Sequence, residues 1–488
     1  MSPSHGVVER SGKGFTQSLK SGRTPADNVS LKSTISTVTF PEAVPLNAAQ
    51  VRLSDIIAAL SYALDLTEGQ PLGHAVKTCV LGMRLGRILG LSDEESADLY
   101  YALLLKDAGC SSNASRMCQI FGTDERRAKY EIKTTDWSRV SLESIRYLLK
   151  TVAPKSSLLR RALTIADIAI HRDKQSTEMF TARCERGADV ARKIGFSERT
   201  AQAIHSLDEH WDGGGYPQKL RGSDIPLFAQ IANLCQTVEV FLSTHSATIA
   251  FEVLDQRSGT WFNPELVRAA KHMATDQTIW TALRTRESAL DLAKKLEPER
   301  SIVVDEERLD SICEAFGEVI DAKSPYTQQH SKGVASAAMG MASRLNLPDE
   351  VIKLCQRAAL LHDLGKLGVP NTILDKPGKL DRHEWNVIVV HPSNTQRILE
   401  RIPRFQELAC IASSHHEKLD GSGYHLGLSK DQLSLPARIV AVADIYDALA
   451  SARPYREALP TERVLKIISK DVPHRLDPAC FEALKDFV

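Results

Sequence analysis

The second half of the chain repeats short segments of the first half, and this repeat limits the folds that the chain can adopt. Residues 420–425 read DGSGYH, and residues 212–217 read DGGGYP. Upstream, LHDLGK at residues 361–366 is echoed by LKDAGC at residues 105–110. Internal similarity of this kind is the signature of a structural unit that occurs once per copy. We therefore expect two related modules in tandem, the first with an insertion between residues 111 and 183.

Apolar residues recur at three- and four-residue spacing in both modules, which is the pattern of amphipathic helices. Residues 51–64 and 76–89 show it in the first half, and residues 351–361 and 435–451 show it in the second. Strand-like alternation of polar and apolar residues is scarce. The predicted fold class is all-α, with two tandem helical bundles joined by a helical linker.

Changes in composition set the expected domain boundaries. Residues 1–45 are rich in Ser, Thr, Gly and Lys and show little periodicity, which is typical of a flexible tail. A charged helix begins the predicted linker, residues 286–303, and Pro298 interrupts it. The two expected domains are residues 46–285 and residues 304–488.

Length and charge exclude some classes of function. A chain of 488 residues is too long for one growing core, so more than one domain is expected. Lys and Arg together number 61, as do Asp and Glu, which argues against bulk binding of a nucleic-acid polymer. Because no apolar run of about 18 residues and no secretory signal is present, we expect a cytoplasmic protein without membrane insertion. The nine cysteines are scattered, as expected of reduced core thiols.

Five histidines and two aspartates of the second half stand at helix ends or early turns of an otherwise apolar domain. The candidate metal ligands are His330, His362, Asp363, His391, His415, His416 and Asp444. Imidazole and carboxylate ligands suit iron, manganese, zinc or nickel. One zinc ion needs three or four ligands, so seven are enough for two ions, with Asp363 as the natural bridge.

Such a site is suited to the hydrolysis of a phosphate ester. Two divalent ions can lower the pKa of a bound water and stabilise the leaving group. Lys366 lies one helical turn after His362 and can place its ammonium beside the same phosphate. We therefore expect Asp363 and Lys366 to be catalytic, with Lys366 also contacting the substrate.

Longer segments of the second half follow the pattern of one family. They are SPYT from residue 324, HDLGKLGVP from 362, ILDKPGKL from 373, HHEKLDGSGY from 415, ARIVAVADIYDAL from 437 and RPYR from 453. By these segments, residues 305–488 resemble the HD-GYP family, HD-superfamily phosphohydrolases that hydrolyse cyclic dinucleotides, chiefly cyclic di-GMP, in bacteria. The resemblance implies two HD-type helical bundle domains, the seven metal ligands named above and Lys366 as the catalytic lysine. It also places Asp447, Arg453 and Arg456 near the bound nucleotide, and guanidinium groups suit phosphate.

Two departures from the family pattern bear on the chemistry. Tyr326 stands where some members carry a glutamate for a third metal, so we expect two divalent ions per chain. Iron or manganese is expected, with zinc or nickel as alternatives. The Gly-Tyr-Pro signature is here Gly423-Tyr424-His425, which frees the loop and adds a titratable ring. Because that position is not a ligand, we expect the metal chemistry to survive, while substrate preference can differ.

The first half lacks most of these ligands, and we expect it to be a degenerate, non-catalytic copy. The replacements are Lys106 for His362, Cys110 for Lys366, Cys184 for His391, Leu207 and Asp208 for His415 and His416, and Gln236 for Asp444. His74 and Asp107 keep ligand identity, but two ligands cannot hold two ions. Lys106 is expected to form an ion pair with Asp107 or a neighbour. A regulatory role, or contact with a second copy or a signalling protein, would fit such a domain.

Several functions are compatible with this sequence. The first is hydrolysis of cyclic di-GMP to linear pGpG and onward to GMP, with a close variant that acts on 3'3'-cyclic GMP-AMP. The second is a receptor that binds a cyclic dinucleotide without hydrolysing it, although a receptor need not keep the full ligand set and Lys366. The third is a general nucleotide phosphohydrolase of the wider HD group. The Gly-Ser-Gly-Tyr loop and residues 453–456 count against the third.

Overall fold

The computed structural model describes residues 51–135, 142–154, 156–298, 304–452 and 457–488. These residues form helices and no β-strand, and their extended pairing is limited to two isolated bridges. The all-α fold class predicted from apolar periodicity is therefore confirmed.

Both halves consist of helices, which are numbered here in chain order. Those of the first half are α1 (Leu53–Glu68), α2 (His74–Ile88), α3 (Asp93–Leu105), α4 (Ala114–Phe121), α5 (Glu125–Thr134), α6 (Leu142–Thr151), α7 (Leu158–Ile170), α8 (Arg172–Lys193), α9 (Glu198–His205), α10 (Leu227–Thr244), α11 (Ala247–Gln256), α12 (Pro264–Lys271), α13 (Gln277–Ala282) and α14 (Arg286–Lys295). Those of the second half are α15 (Glu306–Asp321), α16 (His330–Arg344), α17 (Asp349–Leu361), α18 (Asn371–Leu374), α19 (Arg382–Ile388), α20 (His391–Leu399), α21 (Gln406–Ser413), α22 (Leu435–Ala450), α23 (Thr461–Ile468) and α24 (Pro478–Phe487).

Helix α17 illustrates how the sequence brings a polar pair into the interior. Asp349 and Glu350 lie in its first turn, where carboxylates interact favourably with the positive end of the helix dipole. Its later turns bury Leu354, Leu361 and the residues between them that face the core. The helix ends at Leu361, and His362 follows as the C-terminal cap residue. The buried face of α17 therefore carries the His-Asp pair inside the protein.

A helix that begins with histidine lies near the centre of each half. In the second half α16 packs against α17 and α22, and in the first half α2 packs against α3 and α10. A buried aspartate holds the start of each of these helices. Asp321 accepts hydrogen bonds from the Ser331 N–H at 3.1 Å, and Asp65 accepts from the Ala75 N–H at 3.0 Å. The two halves therefore share a local arrangement that extends beyond the motifs of the repeat.

The two halves pack around one continuous hydrophobic core. Helix α1 contacts α20 and the short 3-10 turn Leu364–Gly368, and α8 contacts α15. Helix α14, which begins the predicted linker, packs on α2, and its Lys294 Nζ lies 3.0 Å from Asp55 Oδ1. The domain boundaries at residues 285 and 304 stay a prediction.

Several expectations concern residues that the structure describes only in part. The predicted flexible tail, residues 1–45, and the end of the linker, residues 299–303, lie outside the described residues. Among the helices that are described, none is long and apolar enough to cross a membrane.

The insertion predicted in the first half contains helices α4 to α7. These helices surround a second, smaller apolar cluster, separate from the main core. Its buried members are Met117, Phe121, Ala128, Tyr147, Val152 and Ala153.

Candidate metal centre

Helix ends bring the seven predicted ligands to one interior site. They are the first residues of α16 (His330) and α20 (His391), the residues that follow α17 (His362 and Asp363) and α21 (His415 and His416), and a residue within α22 (Asp444). All are buried except His416, whose side chain is 26% exposed. A site built on helix ends rather than on loops holds its side chains in fixed positions.

Asp363 lies between two groups of histidines. Its Oδ2 lies 3.3 Å from His362 Nε2 and 3.7 Å from His330 Nε2. Its Oδ1 lies 3.3 Å from His391 Nε2 and 3.7 Å from His415 Nε2. Each oxygen of this carboxylate therefore faces a different pair of imidazoles, which is the arrangement that a bridging ligand requires.

Asp444 completes one group and approaches the other. Its Oδ1 lies 3.3 Å from His330 Nε2, and its Oδ2 lies 3.8 Å from His416 Nδ1. The potential ligand atoms of the second half form groups in which all atoms lie within 4.8 Å of one another. Two of these groups are His330, His362 and Asp444, and His391, His415 and His416.

Backbone carbonyls three residues earlier orient three of the ligand rings. The Nδ1–O distance is 2.7 Å in each of the pairs His362–Ala359, His391–Ile388 and His415–Ala412. Because a carbonyl only accepts hydrogen bonds, Nδ1 carries the proton and Nε2 faces Asp363. Such outer partners fix the ring orientation that a metal-binding histidine needs.

The atoms that face the centre lack the partners that buried polar atoms normally have. His330 Nε2, His362 Nε2 and Asp363 Oδ1 are buried and make no hydrogen bond. His391 Nε2 and His415 Nε2 face each other at 3.1 Å, although both rings hold a proton on Nδ1. Two nitrogen lone pairs therefore meet there, and a cation between them would remove their repulsion. This donor set fits divalent metal ions.

Protonation states in the centre are those of metal ligands. Burial lowers the pKa of His391, and it lowers the pKa of His416 to about 3. Burial alone would raise the pKa of Asp363, but His362 and Lys366 hold it well below its ordinary value. Two rings are exceptions. Burial lowers the pKa of His330, but Asp444 and Asp447 raise it above its ordinary value. Burial also lowers the pKa of His362, but Asp363 raises it to about 10. A proton on this ring takes the place that a bound cation would fill.

The structure brings most of the other predicted site residues to this centre. Lys366 lies in the 3-10 turn after Asp363, and its Nζ is 2.5 Å from Asp363 Oδ2. Asp447 was predicted to contact the nucleotide, but its Oδ2 lies 2.6 Å from His330 Nδ1 and orients that ring. Its role in substrate binding stays a prediction. Arg453 and Arg456 lie outside the described residues.

Sequence reasoning missed residues that support the ligands. The Thr395 hydroxyl donates to the His362 carbonyl at 2.9 Å and accepts from the Gly365 N–H at 2.9 Å. Glu417 accepts N–H groups of the 420–428 loop, including that of Leu428 at 3.0 Å. The repeat could have revealed Glu417, because a glutamate directly follows His415 and His416 in the second half and the corresponding Leu207 and Asp208 in the first.

Gly365→Ala tests the contact between the 3-10 turn and α20. A Cβ at residue 365 would lie 1.9 Å from the His391 carbonyl oxygen, so the turn or the ligand must move. Because overpacking costs about 1–3 kcal/mol, we expect a lower melting temperature and a reduced metal content by elemental analysis. Gly368→Ala in the same turn is the control, since its Cβ would lie 3.5 Å from Leu66. Equal metal content in both variants would contradict the expectation.

The first half places amino and guanidinium groups where the second half has its predicted ligands. Lys106 pairs with Asp107, as predicted, and its Nζ lies 2.9 Å from His74 Nε2. His74 Nδ1 in turn contacts the Glu239 carboxylate. Arg183 Nη2 lies 3.4 Å from Asp107 Oδ1. Positive side chains thus surround Asp107, which corresponds to Asp363 in the repeat.

One residue of the predicted alignment was wrong. A Cβ at Gly109 would lie 1.9 Å from the Arg183 carbonyl oxygen, and one at Gly365 would lie 1.9 Å from that of His391. Arg183, and not Cys184, therefore occupies the position of His391. The error arose because the insertion directly precedes Arg183, so no motif there fixes the alignment of the first half with the second.

Glu68, Asp107 and Cys110 also bring potential ligand atoms within 4.8 Å of one another. However, Glu68 is paired with Lys129 and Lys133, at 3.1 and 2.9 Å. Burial raises the pKa of the Cys110 thiol, which disfavours the thiolate that a metal would need. Cations of the chain itself therefore balance these carboxylates.

Two aromatic rings lie at the accessible side of the metal centre. The Tyr424 ring centroid is 4.8 Å from that of His416 and 6.1 Å from that of Trp385. Trp385 is 50% exposed and belongs to α19, which buries no residue. An exposed indole next to a buried cluster offers a flat surface to a ligand.

Comparison with known proteins agrees with this geometry. A family model described as the HD domain matches residues 165–266 and 314–480. The chain belongs to the HD domain family. A 3'3'-cGAMP-specific phosphodiesterase 3 of Vibrio cholerae is 43% identical over 433 residues, which are 89% of this chain and 94% of that protein.

Two more comparisons concern a relative that is similar over part of the sequence and a solved structure that is similar over most of it. A cyclic di-GMP phosphodiesterase of V. cholerae is 40% identical over 166 residues, which are 32% of this chain and 34% of that protein. A crystal structure of a cyclic GMP-AMP specific phosphodiesterase of V. cholerae has a TM-score of 0.61 and 39% identity. That match covers 89% of this chain and 97% of the other.

Proposed function

We propose that this HD domain protein hydrolyses a phosphodiester bond of 3'3'-cyclic GMP-AMP. The observation that carries the proposal is the buried cluster around Asp363, whose imidazole and carboxylate atoms lack partners and suit two divalent ions. The chain is then a cyclic-dinucleotide phosphodiesterase of the HD-GYP type. The sequence interpretation put cyclic di-GMP first, but the match along 94% of a 3'3'-cGAMP-specific relative favours the hybrid dinucleotide.

In the proposed reaction, one set of residues would hold the metal ions and Lys366 would contact the phosphate. Two divalent ions, when bound, would activate a water and neutralise phosphate charge. One group of ligands is His330, His362 and Asp444, another is His391, His415 and His416, and Asp363 lies between them. Lys366 keeps its ammonium beside Asp363 and stabilises the negative charge of the phosphate.

We infer that the first half is a copy of this module that has lost hydrolysis. The inference is supported by the ion pairs of Asp107 with Lys106 and Lys133, which leave no vacancy for a divalent cation. It is also supported by Arg183 at the position of His391. A guanidinium in that position repels a metal ion instead of binding it.

The proposal is tested by incubating the purified chain with 3'3'-cyclic GMP-AMP or cyclic di-GMP and Mn²⁺ and separating the products by chromatography. We expect a linear product from the hybrid at a rate at least about tenfold above that from cyclic di-GMP, since contacts to the bases decide such ratios. Equal rates would contradict the preference. Tight binding without product, unchanged in His362→Ala, would favour the receptor interpretation instead.

Metal analysis is an independent test of the same proposal. We expect about two divalent ions per chain, because seven ligands on either side of one carboxylate suit two ions. His391→Ala should release one of them. About four ions per chain would show that the first half binds metal as well.

Trp385→Ala is expected to weaken substrate binding rather than the chemical step. A base stacked on the indole would contribute about 1–3 kcal/mol, so KM should rise by about tenfold while kcat changes little. Trp385→Phe, which keeps a flat ring, is the matched control. An equal KM in the alanine and phenylalanine variants would exclude base stacking at this residue.

A further inference from the structure

The first half contains a cavity of about 770 Å³ beside its charged cluster. Helices α4 to α8 supply one side, and α10 with the loop after α9 supplies the other. The inserted helices contribute aliphatic side chains, among them Met117, Ile132, Ile165, Ile168 and Met179. The predicted insertion therefore builds an apolar chamber over the site where this half has lost its ligands.

A space of this size is unusual in a packed protein. Interiors are filled as densely as organic crystals, whereas binding sites for small molecules have volumes of about 300–1,000 Å³. These five aliphatic side chains belong to the smaller apolar cluster rather than to the main core, and all except Met117 are half-buried. An apolar ligand would cover them without a change in the main core.

Charged residues form the floor of the chamber. The groups that line it are Lys129, Lys133, Arg183, Glu68 and Asp208. Ion pairs join them to one another and to the buried Lys106–Asp107 pair, which does not line the chamber. The five groups that line the floor are three cations and two carboxylates, so they have one positive charge in excess. The rim adds one cation, Lys219, and two carboxylates, Asp173 and Asp212, so the excess is confined to the floor.

Lys133 on the floor can still donate to a ligand, because its ammonium has three N–H groups and only two carboxylates, Glu68 and Asp107, pair with it. Burial lowers the pKa of Lys133, but Asp107 and Glu68 raise it above its ordinary value, so the ammonium stays charged. An ionised carboxyl head group can pair with Lys133, while an apolar tail lies against the inserted helices.

We propose that this chamber binds a small aliphatic carboxylate, with its chain between α4 and α8 and its head group at Lys133 and Arg183. The apolar walls account for the chain, and the excess positive charge of the floor accounts for the acid. A cyclic dinucleotide fits less well, because it carries two phosphates and little aliphatic surface.

Helix α5 connects this chamber to the metal centre. Its Lys129 and Lys133 line the floor, while Glu125 at its start contacts Lys323 and the backbone of Asn371 in the second half. Arg126 donates to the Gly368 carbonyl, in the turn that contains the catalytic lysine. A ligand that shifts α5 therefore changes turnover at the metal centre. This coupling, but not the binding itself, rests on the proposed phosphodiesterase activity.

Binding is tested on the full chain by titration calorimetry with decanoate below its micelle concentration. We expect saturable binding of one molecule per chain, with affinity at least tenfold above that for decan-1-ol. Ile168→Trp should fill the chamber and abolish binding, whereas Leu163→Trp should retain it. Leu163 lies on the same helix but is 63% exposed.

Three outcomes would overturn the proposal: no heat of binding, equal affinity for the alcohol, or unchanged affinity in Ile168→Trp. If cyclic di-GMP or 3'3'-cyclic GMP-AMP competes with decanoate for the chamber, the assignment of an aliphatic carboxylate as its ligand would be overturned as well. Coupling is measured separately, as a change of at least twofold in hydrolysis rate when decanoate is added to the wild type and to Leu163→Trp, but not to Ile168→Trp. If no dinucleotide is hydrolysed at all, the proposed function fails while the binding result stands.

Discussion

Asp363→Asn is expected to abolish phosphodiester hydrolysis and metal binding together. The carboxylate faces four imidazoles and accepts from Lys366, so no neighbouring residue can take over its position. An asparagine has the same shape but only one acceptor oxygen and no charge. Because metal-assisted charge stabilisation is worth several kcal/mol, we expect a loss of at least about 1,000-fold in kcat.

A matched variant in the first half distinguishes a loss of catalysis from a general loss of stability. Asp107→Asn removes the corresponding carboxylate, which is paired with Lys106, Lys133 and Arg183. We expect it to lower stability while the metal content per folded chain stays unchanged. Asp349→Asn, at the exposed start of α17, controls for the substitution itself. Full activity in Asp363→Asn, or loss of both ions in Asp107→Asn, would show that catalysis has been placed in the wrong half.

The sequence was sufficient to predict the helical class, and the seven residues that it predicted as ligands lie together in the structure, because both features depend on local pattern. Apolar residues at helical spacing define the faces that pack, and the predicted ligands other than Asp444 lie at or just after the ends of helices. Asp363 lies between two groups of histidines, as its predicted bridging role requires, and the bridging itself stays a prediction. The ion pair between Lys106 and Asp107 followed from a cation that replaces a predicted ligand next to an anion.

Contacts between distant segments could not be predicted from such patterns. The substitution of Arg183 for His391 depends on which residue of α8 meets the turn at Gly109, and the insertion obscured that register. The chamber depends on how α4 to α7 pack over the floor. The orientation of His330 by Asp447 joins residues 117 positions apart in the chain. Only the folded structure brings these pairs together.

Glu125 is the clearest example of such a contact, and its substitution should have the largest effect on stability. Its Oε1 lies 3.0 Å from Lys323 Nζ, and its Oε2 accepts the Asn371 N–H at 2.9 Å. The Glu125 and Lys323 side chains are at most 2% exposed. Lys323 lies shortly before His330, and Asn371 shortly after Lys366. A glutamate of the first half therefore holds both segments that flank the metal centre.

Glu125→Gln is expected to lower the free energy of unfolding by about 3–5 kcal/mol. The amide can still accept from Asn371, but the buried ammonium of Lys323 loses its counter-charge, which is strongly destabilising. The measurement is urea unfolding of the full chain, together with kcat for the dinucleotide. Arg127→Gln on the same helix is the control, since its guanidinium is 49% exposed and should matter by less than about 1 kcal/mol. In the double variant Glu125→Gln/Lys323→Met the unpaired charge is gone, so most of the lost stability should return. If the double variant is less stable than Glu125→Gln alone, the cost does not arise from the unpaired lysine, and the ion pair is not what holds the two halves in register.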